Sequence, residues 1–327
     1  MSRKLITIST IMTLMSTSVI ADVPNVAADI APIHSLVSRV MDGVGAPKLI
    51  VQSGASPHGY RLRPSEAKAL QDADHVFWMG EELTPWLDSA IGTLASKASV
   101  TTLLDQQGVI LHDFREGALF EAHDHSAHGD DDHDDHDDHK DHDDHDDHKD
   151  HDDHDDHGSH DPHAWLSPEN AKLWLNIIAS KLSVSDPENA ATYFMNAAAG
   201  QAEIEAMIAE VKATLKPVQG GKFVVFHDAY QYFENDFDFY ASGAISLSDS
   251  SDPSPARIEK VQKRIRDEGI QCVLAEPQFK KGLVATVMEG SDATASVIDP
   301  LGAELETGPK LYTRLIKNMA KTLRNCL

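Results

Sequence analysis

The sequence predicts an α/β protein of two lobes, each a parallel-type β/α sandwich, joined by a long rigid helix. Three observations carry that expectation. Short apolar runs alternate with amphipathic stretches, as in a parallel sheet covered on both faces. One unbroken helical stretch stands mid-chain, at 186–217. After it the strand–helix alternation begins again. The 327 residues leave room for two such units.

In the first half, strands are expected near 23–27, 49–52, 75–79 and 99–102. Helices are expected near 33–41, 65–70, 84–94 and 168–182. Pro168 after Ser167 marks a helix start, because proline suits the first turn. Pro187 does the same for the central helix, and an Ala-rich, Glu-containing run follows up to Pro217. About 28 residues at ~1.5 Å each span roughly 42 Å, a stiff connector rather than a flexible hinge. Beyond it, strands are expected at 222–226, 239–244, 271–275 and 296–298, and helices at 255–267, 281–289 and 310–324. The expected division is a first lobe over 22–185, a connecting helix over 186–217 and a second lobe over 218–327.

Residues 1–21 read as a secretory signal. Arg3 and Lys4 give a basic start, and the apolar run 5–15 is too short for a typical ~20-residue membrane span. Val19 and Ala21 place small residues at the −3 and −1 positions of a cleavage site. The mature chain is expected to begin near Asp22 and to be exported as a soluble protein. Cys272 and Cys326 are then an even pair in an oxidising compartment, which suggests a disulfide pinning the C-terminus to a strand.

With 28 Lys and Arg against 53 Asp and Glu, the chain carries −25. That excludes a nucleic-acid partner, which needs a basic face, and disfavours an anionic membrane surface. The charge is uneven. Residues 123–160 hold 13 of the 19 His, 18 Asp and two Lys, so this insert carries −16 and the other 289 residues −9. From His133 to His157 a His stands at every third position. The unit His-Lys-Asp-His-Asp-Asp-His-Asp-Asp occurs at 139–147 and again at 148–156. Such a tract has nothing apolar to bury and is expected to be disordered without a ligand. Asp alone would make a solubilising loop. The recurring His points to a borderline divalent metal, because imidazole is the usual ligand of zinc, nickel and copper. Capture, delivery or sensing of a metal follows from such a loop; catalysis does not.

Six His lie outside the insert: His34, His58, His75, His112, His163 and His227. His34 and His75 fall within expected elements and read as structural. His112 has no comparable context. His58 follows a strand, His163 precedes the helix beginning at Pro168, and His227 ends the strand Phe223–Phe226. Ligands of open α/β sheets bind beyond the carboxyl ends of strands. His58 and His163 belong to the first lobe and His227 to the second, so the three can converge between lobes. A fourth donor would complete a zinc tetrahedron. Asp299 and Glu276 are both strand-end carboxylates, and spacing does not choose between them; either could instead accept from an imidazole and orient it. Asp161 and Asp228, beside ligand candidates, are suited to orienting an imidazole.

These residues carry a resemblance. Ser56-Pro57-His58-Gly59-Tyr60-Arg61-Leu62-Arg63-Pro64-Ser65, Asp161-Pro162-His163-Ala164-Trp165, Phe226-His227-Asp228-Ala229-Tyr230, Ala275-Glu276-Pro277-Gln278-Phe279 and Ile298-Asp299-Pro300-Leu301-Gly302 look like the motifs of the periplasmic zinc-binding component of zinc ABC importers, the ZnuA type. The acidic His-rich loop also lies where that family carries one. The resemblance implies two lobes joined by a long helix and zinc held between them. It implies delivery of zinc to a membrane permease driven by a separate ATPase, and the exported protein is expected to be a periplasmic monomer. It places the zinc ligands on His58, His163 and His227, and related proteins have an acid where Asp299 stands. The Cys272–Cys326 pairing matches the family's C-terminal lobe. One departure is Pro57, where some members carry a Glu; that leaves Asp299 or a water as fourth donor. Manganese-binding relatives have a carboxylate where His227 stands, and its nitrogen favours zinc.

Two other classes compete. A zinc hydrolase would need an open coordination position and a general base, and the chain has no His-Glu-x-x-His. A metal buffer would use the tract alone.

Overall fold

The computed structural model describes residues 23–115, 120, 160–246, 253–278 and 281–327. The expected signal, 1–21, and the insert up to residue 159 lie outside the described residues. The first half builds β1 (Val26–Ala28), α1 (Ala31–Val40), β2 (Lys48–Leu49), α2 (Pro64–Gln71), β3 (His75–Trp78), α3 (Pro85–Leu94) and β4 (Ser99–Thr102). Then come α4 (Pro168–Ser185) and α5 (Ala190–Leu215). The second half builds β5 (Phe223–His227), α6 (Gln231–Phe237), β6 (Ala244–Ser246), α7 (Pro255–Glu268), β7 (Cys272–Ala275), α8 (Lys281–Met288), β8 (Thr294–Val297) and α9 (Leu311–Cys326). The two sheets have the same parallel topology, β2-β1-β3-β4 and β6-β5-β7-β8.

The central strands are buried on both faces, which is why they read as unbroken apolar runs. Their alternation is still visible in what each side chain joins. Phe223 and Val225 of β5 enter the core between the two sheets, whereas Val224 and Phe226 pack outward with Ile245, Val261 and Ile265. In β3, Phe77 points inward while Val76 and Trp78 pack with Leu70, Leu87 and Ile91. The inner core is continuous across both sheets and is filled by α1, α4, α5 and α9.

α5 is the spine of that layer. Tyr193, Ala197, Gly200, Ile204, Met207, Val211 and Leu215 form one buried stripe along it. Its 26 residues span roughly 39 Å at ~1.5 Å each. Gly200 lets the helices close up, since a Cβ there would meet Leu175 Cδ1 at 2.9 Å and Arg39 Cγ at 3.1 Å. Hydrogen bonds add to this packing. Trp165 donates to Pro300 O at 2.8 Å, and Tyr312 OH donates to Trp165 O at 2.9 Å. Ser35 Oγ donates to Gly308 O at 2.7 Å.

Three expectations shift. The long helix begins at Ala190, because Asp186 is buried and accepts from the Asn189 side chain and from Tyr193 OH, both at 2.8 Å. Residues 187–189 therefore form a turn that separates α5 from α4. The sixth strand starts at Ala244 and not near 239, because the short helix α6 precedes it and ends at Asp238 in a left-handed conformation, φ 50°. α6 itself is absent from the expected elements; seven residues with Asn and Asp among them carry little helical period.

The Cys272–Cys326 disulfide forms and ties α9 to β7 across 54 residues. Replacing both cysteines by alanine should lower unfolding stability by about 3–4 kcal/mol, the loop-closure entropy returned to the unfolded chain. Urea melts of the oxidised protein and the variant measure this.

Asp29, just past β1, is fully buried and accepts the Met79 and Ile30 amides, each at 2.7 Å. Burial pushes its carboxyl from 3.8 up to about 7, against the pull of those amides. Between these two values the folded protein holds a proton that the unfolded chain releases. This group's contribution therefore falls as pH rises through about 7 and grows as pH drops toward 3.8. The difference between wild type and Asp29→Asn in metal-free urea melts at stepped pH should show that slope.

Candidate metal centre

The sheet topology fixes where ligands can gather. In each sheet the strand order reverses beside its first strand, between β5 and β7 in the second, and such crevices at carboxyl ends hold ligands. His227 is the last residue of β5 and Glu276 the first after β7. By strand alternation both fall on the inner face with Val225 and Leu274, so their side chains meet. His227 Nδ1 lies 2.6 Å from Glu276 Oε1, and Gln278 donates to the other carboxylate oxygen at 2.8 Å.

His163 comes from the other side of the cleft. It sits just before a tight helical turn, Ala164–Leu166, which leads into α4. Ser167 caps α4 by accepting from Asn170 N at 3.3 Å, and Asn170 donates back to Ala164 O at 3.3 Å. Asp161 Oδ1 accepts the His163 amide at 3.0 Å and lies 2.6 Å from His163 Nδ1.

His58 stands in the loop between β2 and α2, half-buried. The motif around it is a fastening. Trp86 of α3 donates to Pro57 O at 2.7 Å. Tyr60 OH donates to Glu66 Oε1 at 2.7 Å, and Glu66 Oε2 accepts the Arg63 amide at 2.7 Å.

The three imidazoles meet. Each offers a ligand atom within 4.8 Å of the others. The rings of His58 and His163 lie 5.6 Å apart, those of His163 and His227 5.1 Å. His163 Nε2 and His227 Nε2 approach to 3.3 Å. Both Nδ1 atoms face buried carboxylates, which assigns the N–H to Nδ1 in each neutral ring. Two Nε2 lone pairs then point at one another. A proton or a metal cation between them turns that contact into a bond.

The other acidic candidates separate. Asp228 pairs with Arg115. Asp299 follows β8, and its Oδ1 accepts from Leu301 N at 3.0 Å and Gly302 N at 2.8 Å, its Oδ2 from Ala303 N at 2.6 Å. Gly302 has φ 74°, the left-handed conformation this turn requires. Asp299 does not join the three His within 4.8 Å, the one such group among the described residues. His34 and His75 are buried in helix and strand, and burial lowers both. Sequence reasoning missed Tyr230, buried beside Glu276 and raised well above its ordinary value by that burial. It also missed Arg115, whose one signal is a cation standing just ahead of an acidic insert.

Two parallel α/β lobes on a shared helical spine, with side chains from both meeting in the cleft, define a two-lobed solute-binding protein. The chain belongs to the family described as zinc-uptake complex component A, periplasmic, which it matches over residues 26–326. It is 49% identical over 304 residues to the high-affinity zinc uptake system protein ZnuA of Brucella abortus (strain 2308), covering 92% of this chain and 91% of that one. It is 44% identical over 308 residues to the protein of the same name from Paracoccus denitrificans (strain Pd 1222), covering 94% and 93%. Among solved structures it is similar to a crystal structure of ZnuA, with TM-score 0.71 and 21% identity over 93% of this chain and 99% of that one. A zinc-bound ZnuA with residues 138–173 of its own numbering deleted gives TM-score 0.69 and 21% identity over 93% and 98%. These structural likenesses concern the fold. Among the described residues, no helix is long and apolar enough to cross a membrane.

Asp161→Asn and Glu276→Gln keep side-chain size but weaken the hold on each ring. Each should lower affinity for a divalent cation by roughly 10–100-fold with stoichiometry unchanged. Chelator-competition titration reads both quantities.

Proposed function

We propose that this chain captures zinc in the periplasm and delivers it to the membrane permease of an ABC importer, holding the ion between its lobes through His58, His163 and His227. The observation that carries this reading is the facing pair of Nε2 atoms, 3.3 Å apart, with His58 alongside. Three nitrogen donors suit zinc better than the harder manganese. Hydrated zinc exchanges water for imidazole, and the Asp161 and Glu276 carboxylates offset its charge from behind. Asp299 supplies the fourth donor as the lobes draw onto the ion. Three of the ~four acceptor directions of a carboxylate are occupied in Asp299, leaving one on Oδ2.

One chain holds the whole site, so the protein works as a monomer, without a catalytic step. Residues 1–21 export it, and the His/Asp tract, 123–160, collects or senses zinc when the metal is scarce. The packed spine around α5 favours small lobe movements over a wide hinge swing. Acid weakens binding, because an imidazole that takes a proton on its ligating nitrogen cannot coordinate.

Calorimetry on metal-stripped protein tests this reading. Wild type should bind one zinc tightly and more zinc weakly. Deleting 123–160 should remove the weak events and keep the tight one. Substituting His58, His163 and His227 together by alanine should remove the tight event and keep the weak ones. Asp299→Ala should weaken the tight event. A triple variant that still bound one zinc tightly would overturn the cleft assignment and leave a buffer built from the tract.

A further inference from the structure

The root of the insert is fastened to both lobes. On the first-lobe side, Ile110 N donates to Asn170 Oδ1 at 2.8 Å, and Asn170 returns a bond to Ile110 O at 2.9 Å. The two ends of the insert meet where Asp113 bridges to His160. On the second-lobe side, Tyr232 of α6 accepts the His112 amide at 3.1 Å and donates to Asp161 O at 2.7 Å. The same helix thus steadies the residue that orients His163.

Arg115 then crosses to the second lobe. Its Nε donates to Asp228 Oδ1 at 3.0 Å and Oδ2 at 3.1 Å, Nη2 pairs with the same carboxylate, and Nη1 donates to Glu234 Oε2. The Phe120 ring covers the guanidinium, its centroid 3.6 Å away. The Arg115 side chain is 16% exposed, Asp228 7% and Glu234 1%. Asp228 is the residue after His227, and Ala229 N turns back onto His227 O at 3.0 Å. A fork fixed on Asp228 therefore fixes the turn from which the His227 ring projects. Glu234 lies on α6, which also carries Tyr232. The insert root, Arg115 and α6 form a bracket spanning the gap between His163 and His227.

We infer that Arg115 is a positioning residue that latches the root of the insert onto the second lobe and slows release of zinc held by His227. This rests on the three-imidazole reading above. A positive charge alone would neutralise the buried carboxylates. The latch needs the planar fork, which reaches both Asp228 and Glu234; a lysine ammonium keeps the charge without that geometry.

The test is stopped-flow release of zinc from the full chain into excess chromophoric chelator. The phase belonging to the cleft is the slow one that the triple His variant lacks. Arg115→Ala and Arg115→Lys should each speed that phase by roughly 10–100-fold while one tight zinc is retained, and Lys should fall with Ala rather than with wild type. Thermal melts of Arg115→Lys check that it folds. An Arg115→Lys chain releasing zinc at the wild-type rate overturns the latch, leaving charge neutralisation only. An Arg115→Ala chain at the wild-type rate overturns it too. A wild-type chain with no slow phase overturns the three-imidazole reading together with this one.

Discussion

His163 and His227 confront each other through Nε2 because each Nδ1 is already committed to a buried carboxylate, Asp161 on one side and Glu276 on the other. The carboxylates fix ring orientation and tautomer together, and the lone pairs left over share one small space. In neutral rings without an ion, that space is electrostatically uncomfortable. A divalent cation placed there would be held by two nitrogens, with a buried carboxylate behind each ring.

Holding two such Nε2 atoms at 3.3 Å requires that the lobes carrying them not drift. The scaffold meets that demand by giving both sheets one inner core. α1, α4, α5 and α9 fill it, and the buried stripe of α5 runs the length of the helix. Separating the lobes would expose that stripe to water, so rigidity here is a consequence of apolar burial. The two sheets share one strand order, yet among the described residues only the second carries a His–carboxylate pair, His227 and Glu276, at its reversal. At the corresponding place in the first sheet stands Asp29, whose two oxygens accept the Ile30 and Met79 amides.

Much of the fold was legible. The central strands β3, β5 and β7 were visible because buried parallel strands are short apolar runs, and five helices began where proline stood in the first turn. α6 was not legible: seven residues including Asn235 and Asp236 hold their helix through packing of Tyr232, Phe233 and Phe237 rather than through propensity. The start of α5 was misplaced because the reason for the turn at 187–189 is a buried Asp186 side chain, a tertiary fact. Within the site, the three imidazoles were legible from their places at strand and helix ends. Glu276 was legible as a strand-end carboxylate that could ligate or orient an imidazole; that it stands behind His227 was decided by the structure.

The sequence by itself determined which residues could coordinate and on which ends of which elements they stand, since strand alternation and helix starts are local properties of the chain. Its motifs also determined the family. Only the tertiary structure decided which carboxylate faces which ring, that Asp299 is held by its own turn, and that Arg115 reaches Asp228 across 113 residues. Such pairings depend on how two separately folded sheets approach through a common core. No local period or spacing encodes that approach.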